Sequence, residues 1–288
     1  MTENSVREVL TAASRRLADA GVPDPQVDAE LLLAHVRAQS RGELQAAVIT
    51  GAALTLEQAD AYEALISRRS AREPLQHLTG IAYFRHLELA VGPGVFVPRP
   101  ETEGVVQFAI DALRAAPVSE PVGIDLGSGS GAIALAMATE VPHARVFAAE
   151  NSPEAFPWTR RNVDAAGVAN LRLDFVDLAD AFPDLDGTAD VVVSNPPYVP
   201  DDAIPRDPEV RLHDPHAALY GGPDGLDVVR VLSGVAARLL HPGGLLVIEH
   251  GEAQGETIRD ILTADGWRAA ATHRDLTLRD RTTTALRA

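Results

Sequence analysis

The first seventy or so residues alternate apolar and polar side chains at the spacing of amphipathic helices. In residues 5–20 an apolar side chain recurs every three or four positions, and a glycine and a proline end the pattern. The apolar positions are Val6, Val9, Leu10, Ala13 and Leu17. Further helices are predicted over residues 25–36 and 55–69. The pattern therefore predicts a small N-terminal helical domain over residues 1–73.

A different pattern follows in residues 74–103, "PLQHLTGIAYFRHLELAVGPGVFVPRPETE". Apolar and polar residues alternate with a period of two, and Gly92-Pro93-Gly94 interrupts the alternation. Alternation with this punctuation is typical of short paired strands. We predict a β-hairpin linker over residues 74–103.

From residue 104 onwards, short apolar runs alternate with helical stretches. Seven strands are predicted, in "VGIDLG", "ARVFAAE", "LRLDFV", "ADVVVSN", "GLLVIEH", "WRAAATH" and within "LTLRDRTTTALRA". Strands that alternate with helices indicate an α/β fold, here a seven-stranded, mostly parallel, Rossmann-like sheet with helices on both faces. Ligands of such sheets bind at the carboxyl ends of the strands. Residues 104–288 are therefore the predicted catalytic domain.

Charge and hydropathy narrow the choice of partners. The formal net charge of −16 and the pI near 4.9 argue against direct nucleic-acid binding, which rests on basic side chains that neutralise phosphates. No apolar run approaches the roughly 20 residues of a membrane-spanning helix. The opening "MTENSVREVL" lacks the basic and then apolar character of a signal peptide. We expect a soluble, cytoplasmic protein with no membrane partner.

Two residue types are absent from the sequence, and their absence excludes several chemistries. There is no cysteine, and all 25 basic residues are arginine. Disulfides, thiolate metal sites, cysteine nucleophiles, Schiff-base lysines and the P-loop lysine are thereby excluded. The nine histidines show no spacing typical of metal ligands, so no metal site is expected.

A glycine-rich stretch, "GIDLGSGSGAIALAMA", is typical of a strand, a loop and a helix in succession. Glycines at 127, 129 and 131 allow a ligand to approach the main chain, and the helix start offers free N–H groups. The pattern also satisfies the dinucleotide fingerprint, so a nicotinamide or flavin enzyme stays possible. Asp125 before the loop favours S-adenosylmethionine. Glu150 ends the next strand, where an acidic side chain can accept hydrogen bonds from ribose hydroxyls.

The stretch "ADVVVSNPPYVP" places Asn195-Pro196-Pro197-Tyr198 at the end of the fourth predicted strand. Proline lacks an N–H, so the turn presents carbonyl acceptors without competing donors. The Asn195 side chain adds another acceptor, and Tyr198 offers an aromatic face. Such a group can accept both protons of a planar NH2 and strengthen those hydrogen bonds as positive charge develops on the nitrogen. We predict methyl transfer to an amide or an exocyclic amine.

The glycine loop and the Asn-Pro-Pro-Tyr tetrad together resemble those of class I S-adenosylmethionine-dependent methyltransferases that act on amino groups. The segments "PLQHLTG", "VFVPRPETE", "ALYGGPDGLDVVRVL", "PGGLLVIEHGEAQG" and "HRDLTLRDRTTTA" are similar to the HemK/PrmC-type release factor glutamine methyltransferases over nearly the whole chain. The resemblance implies N5-methylation of the glutamine in the Gly-Gly-Gln motif of class I peptide-chain release factors. We expect the N-terminal helical domain to recognise that substrate, because it lies outside the nucleotide-binding half of the chain.

The resemblance assigns roles by position. Cofactor contacts are expected from Gly127, Ser128, Gly129, Ser130, Gly131, Glu150, Leu178 and Asn195. The substrate glutamine is expected to contact Asn195, Pro196, Pro197 and Tyr198, with Asn195, Pro196 and Tyr198 as the catalytic residues. Arg99 and Glu101 would lie near the cofactor, although a structural role suits Arg99 nearly as well. Glu150 stands where the family more often has aspartate, and Leu178 stands where an aromatic residue is frequent, so cofactor affinity is the property that these two positions would alter.

Three other functions stay open. The residues of the segment "VPRPETE" disfavour a glutamine methyltransferase for a ribosomal protein. The acidic net charge disfavours an N6-adenine nucleic-acid methyltransferase. A non-catalytic binding protein is disfavoured by the intact loop and tetrad. We expect a monomer. The preferred release factor and any domain motion do not follow from the sequence.

Overall fold

The computed structural model describes residues 5–288, which form two compact units. One unit, the helical unit, comprises the chain up to Ile81 together with the segment Arg206–His213. Its helices are α1 (Val6–Asp19), α2 (Pro25–Val36), α3 (Arg41–Thr50), α4 (Leu56–Ser70), α5 (Leu75–Thr79) and, from the later segment, α9 (Pro208–His213).

Capping boxes begin three of these helices, and an apolar core joins them. Side chains of Ser5, Ser40 and Thr55 each accept a hydrogen bond from the backbone N–H three residues on. The Glu or Gln side chain at that later position accepts one from the backbone N–H of the capping residue. Large core residues include Leu17, Leu32, Leu33, Leu44 and Ile66. Arg69 is 3% exposed, and its guanidinium lies 2.6 Å from Asp28 and 2.7 Å from Glu209 of α9. Two carboxylates thus balance this buried cation.

The other unit, the catalytic unit, comprises Ala82–Pro205 and Asp214–Ala288. A small hairpin, β1 (Ile81–Phe84) and β2 (Leu87–Ala90), leads into it. The large sheet contains β3 (Val122–Leu126), β4 (Arg145–Glu150), β5 (Leu171–Phe175), β6 (Ala189–Ser194), β7 (Leu240–Glu249), β8 (Arg268–Arg274) and β9 (Asp280–Leu286). Its helices are α6 (Pro100–Ala115), α7 (Ala132–Glu140), α8 (Phe156–Ala166), α10 (His216–Leu219), α11 (Asp227–Leu239) and α12 (Gly255–Ala264).

The strand order is β5-β4-β3-β6-β7-β9-β8, and β9 runs antiparallel to the other six strands. Strand β3 lies between β4 and β6, so the order reverses there and opens a crevice at the carboxyl ends of the strands. Alternate side chains of β6 point to opposite faces of the sheet. Val192 belongs to the apolar core that includes residues of α11 and α12, whereas Val191 and Val193 belong to the core that includes residues of α6 and α7. The predicted seven-stranded, mostly parallel sheet, the hairpin and the N-terminal helices are therefore confirmed.

Some boundaries differ from the prediction. The sequence pattern predicts a helix from after Glu103 to about Ala115, whereas the helix begins at Pro100, because proline suits the first helical position, where no N–H is needed. The pattern also predicts a helix over residues 153–166, which in the structure begins at Phe156. Helices α3, α5, α9 and α10 were not predicted. Within residues 5–288, no helix combines the length and apolar character needed to cross a membrane.

Candidate functional site

Three segments of the predicted site meet at one edge of the sheet. The glycine loop follows β3, Glu150 ends β4, and Asn195 follows β6, and these three strands are adjacent and parallel. The hydroxyl of Ser194 donates to the Leu126 carbonyl at 2.6 Å and so ties the end of β6 to the end of β3. Topology alone thus brings together residues that lie up to seventy positions apart.

The loop itself, Gly127 to Gly131, adopts left-handed backbone, which favours glycine, at three positions. Gly127, Gly129 and Gly131 have φ of 79°, 55° and 83°. No heavy atom lies within 4 Å of a Cβ built on Gly127 or Gly129, so the main chain there faces open space rather than packed protein. Packing therefore does not explain these two glycines; their left-handed backbone favours glycine, and the open main chain leaves room for a ligand.

Two side chains of α8 hold this loop in place, and the sequence did not reveal them. The Thr159 hydroxyl donates to the Gly129 carbonyl, and the Asn162 amide donates to the Ser130 carbonyl at 2.9 Å. Asn162 also exchanges hydrogen bonds with both backbone groups of Ala90. Both side chains are less than 5% exposed. Polar residues on the buried face of a helix were the only available signal.

Two buried carboxyl groups flank the loop. One Glu150 oxygen accepts from the Gly129 N–H at 2.7 Å and the other from the Ser152 N–H at 2.8 Å, and each oxygen can accept a further bond. Asp125 is fully buried and accepts from the Ala134 N–H at 3.1 Å, while its other oxygen has no partner among residues 5–288. Burial, opposed by the Ala134 hydrogen bond, raises the pKa of Asp125 to about 7.

The tetrad begins directly where β6 ends. Pro196 is buried, and the other three residues are partly exposed. The Tyr198 carbonyl accepts from the Gln254 amide at 2.9 Å, so this carbonyl is already engaged. Gly225 approaches the same carbonyl so closely that a Cβ there would lie 2.2 Å from its oxygen. Burial raises the pKa of Tyr198 to about 12.

The remaining candidates lie around this edge. Leu178 begins a short 3-10 turn after β5, is half-buried and packs against the sheet. The Arg99 guanidinium lies 2.6 Å from the buried Asp214 carboxylate and stacks over the Phe96 ring at 4.9 Å, which supports a structural role. Glu101 lies in the first turn of α6. No group of three or more His, Asp or Glu in the described part of the chain is arranged to hold a metal ion.

Known proteins resemble this chain over nearly its whole length. The family model "PrmC N-terminal domain" matches residues 8–80, and "Methyltransferase small domain" matches residues 87–208. A protein of Streptomyces coelicolor, named release factor glutamine methyltransferase, is 54% identical over 97% of each chain.

Two further comparisons, one with a relative and one with a solved structure, show how far the similarity extends. A Streptomyces pristinaespiralis protein, named 4-amino-L-phenylalanine/4-methylamino-L-phenylalanine methyltransferase, is 37% identical over 91% of this chain and 88% of its own. A solved structure of the Thermus thermophilus 16S rRNA N2 G1207 methyltransferase with AdoMet and guanosine has a TM-score of 0.53 and 20% identity, over 72% of this chain and 50% of its own. The second likeness concerns the fold alone.

Proposed function

The chain belongs to the family of release factor glutamine methyltransferases, and from this premise we propose that it transfers a methyl group from S-adenosylmethionine to the glutamine side-chain nitrogen in the Gly-Gly-Gln motif of class I peptide-chain release factors. The observation that carries the proposal is the position of the Asn-Pro-Pro-Tyr tetrad beside the glycine loop, at the crevice of the sheet. An acceptor-rich turn next to an open glycine loop suits a planar NH2 group and a methyl donor.

The donor set around the loop fits S-adenosylmethionine. One oxygen of the fully buried Asp125, two residues before Gly127, and the Ser128 hydroxyl have no hydrogen-bond partner among residues 5–288. Gly127 to Gly131 would hold the methionine part through the main chain, and Glu150 would accept from the ribose hydroxyls. Leu178 would pack against the adenine without ring stacking. When bound, S-adenosylmethionine supplies an electrophilic methyl group.

The tetrad would bind and orient the glutamine amide. The Asn195 side-chain oxygen and the Pro196 carbonyl would accept its two N–H groups, while the Tyr198 ring would lie against its planar face. An amide nitrogen is a weak nucleophile because its lone pair is delocalised. Fixed acceptors strengthen their hydrogen bonds as the nitrogen becomes positive, so they lower the barrier to transfer. No base needs to act before the methyl group moves.

We extend the proposal to the helical unit, which we expect to contact the release factor. Two of its large apolar side chains, Ile49 and Leu56, are 79% and 73% exposed. Changing both to aspartate should raise the KM for the release factor and leave binding of S-adenosylmethionine unchanged. An unchanged KM would mean that these side chains are not part of the recognition surface.

Methyl transfer from labelled S-adenosylmethionine tests the proposal directly. The purified protein is given a class I release factor, the same factor with its Gly-Gly-Gln glutamine replaced by alanine, ribosomal proteins, DNA or 4-amino-L-phenylalanine. We expect label only on the unaltered release factor. Label that survives the alanine change would contradict the proposal, as would label that enters only one of the other substrates. The last substrate is included because a relative with 37% identity bears the name of that activity.

A further inference from the structure

A buried glutamate stands next to the tetrad. Glu249 is the last residue of β7, and β7 runs parallel to β6 with Ile248 opposite Ser194. The next residues on the two strands, Glu249 and Asn195, therefore lie side by side at the carboxyl edge of the sheet. Glu249 is only 2% exposed, so water does not solvate its carboxyl group.

The surroundings of Glu249 satisfy its buried carboxyl group only in part. Its Oε2 atom has no hydrogen-bond partner among residues 5–288. The polar and charged groups that face it are Thr102 and Glu101 of α6, Asn195 and Tyr198 after β6, and Arg281 of β9. Burial, opposed mainly by Thr102 and Arg281, raises the pKa of Glu249 to about 7. A buried carboxyl group with an unpartnered oxygen lowers the stability of the fold. A leucine or glutamine at this position would not carry that desolvation cost.

We propose that Glu249 is a positioning residue for methyl transfer, because its carboxylate accepts a hydrogen bond from the Asn195 side-chain NH2 and so turns the Asn195 oxygen towards the substrate nitrogen. The inference rests on the function proposed above. A side-chain amide can present either its oxygen or its NH2 group to a ligand, and the partner on its other side decides which. Only the oxygen can accept a proton from the glutamine amide.

The negative charge on Glu249 adds to this effect. A carboxylate that accepts from the Asn195 NH2 polarises the amide and makes its oxygen a stronger acceptor. The acceptor is needed most when positive charge develops on the substrate nitrogen, so the gain falls on the transition state. A protonated Glu249 could instead donate to the Asn195 oxygen and compete with the substrate. Activity should therefore increase as Glu249 loses its proton.

The test compares wild type, Glu249→Gln and Glu249→Asp, with Glu256→Gln on the exposed face of α12 as the matched control. Glutamine keeps the shape but can donate to Asn195 as readily as accept, so kcat should fall about 10-fold while the KM for the release factor changes less than about twofold. With S-adenosylmethionine saturating, the rise of kcat with pH around 7 should disappear; saturation keeps the titration of Asp125, whose pKa is also about 7, out of this profile. Aspartate should keep that rise and restore part of kcat, and the control should match wild type.

A stability measurement separates positioning from folding. Because glutamine removes a buried charge, Glu249→Gln should unfold at the same or a higher urea concentration than wild type at pH 8. Wild-type kcat and an unchanged pH profile in Glu249→Gln would overturn the inference, and so would a loss confined to KM. If Glu249→Gln does not fold, a Glu249→Asp variant without the pH-dependent rise would overturn it too. Failure of wild type to label the release factor would instead refute the proposed function, and this inference with it.

Discussion

Replacing Asp125 with asparagine should change how the stability of the catalytic unit depends on pH. Asp125 is fully buried on β3. One of its oxygens accepts a hydrogen bond from the Ala134 N–H, and the other has no partner in the described chain. Burial raises the pKa of this carboxyl from 3.8 to about 7. Between these values the unfolded chain has lost the proton that the native state still holds. The native state therefore loses stability as the pH rises through this window, and the loss is complete above about pH 7.

The size of the effect follows from the same two pKa values. Each pKa unit corresponds to about 1.4 kcal/mol, so the total loss is roughly 4 kcal/mol, of which roughly 2–3 kcal/mol falls between pH 5 and pH 8. Asparagine can still accept from Ala134 but never ionises. The difference in free energy of unfolding between Asp125→Asn and wild type should therefore shift by roughly 2–3 kcal/mol in favour of the variant between pH 5 and pH 8.

Urea unfolding followed by tryptophan fluorescence measures this difference. Both tryptophans, Trp158 and Trp267, belong to the catalytic unit, so the signal reports that unit. Asp164→Asn, at an exposed position of α8, is the matched control. Equal pH dependence in Asp125→Asn and wild type would refute the reasoning that a buried, half-satisfied carboxyl destabilises the fold at neutral pH.

Three further predictions concern the site. Asn195→Ala should abolish methyl transfer while S-adenosylmethionine still binds in a calorimetric titration, and wild-type turnover would disprove the role of this acceptor. Asn162→Ala removes the amide that holds the glycine loop, so the Kd for S-adenosylmethionine should rise about 10-fold, whereas an unchanged Kd would mean that the loop holds its shape unaided. Gly225→Ala places a Cβ 2.2 Å from the Tyr198 oxygen at a φ of 76°, so kcat should fall at least about 10-fold, while Gly234→Ala, with open space around it, should keep kcat.

Local pattern was enough to predict most of the sheet. The run of valines in β6 and the glycines after β3 are local features that predict a buried strand and a loop. The position of the site at the carboxyl edge then follows from parallel pairing of the strands. Helix α3 was missed although Ser40 and Glu43 form a capping box. It buries only Leu44, so its sequence carries little of the apolar periodicity that marks an amphipathic helix. The boundary at Pro100 was missed because the alternating pattern before it continued to residue 103.

The supporting side chains of the site could not be predicted in this way. Asn162 reaches a carbonyl 32 positions away, and Gln254 reaches one 56 positions away. Glu249 meets Asn195 only because β6 and β7 pair in a particular register. Such contacts depend on tertiary structure, and no local period or motif marks them.

Mapping the methyl group by tandem mass spectrometry tests the central claim most directly. A class I release factor is incubated with S-adenosylmethionine and either the wild-type protein or Asn195→Ala, then digested and sequenced. The account predicts one methyl group on the side-chain nitrogen of the Gly-Gly-Gln glutamine with wild type, and an unmodified glutamine with the variant. An unmodified glutamine after incubation with wild type, or a methyl group on a different residue, would contradict it.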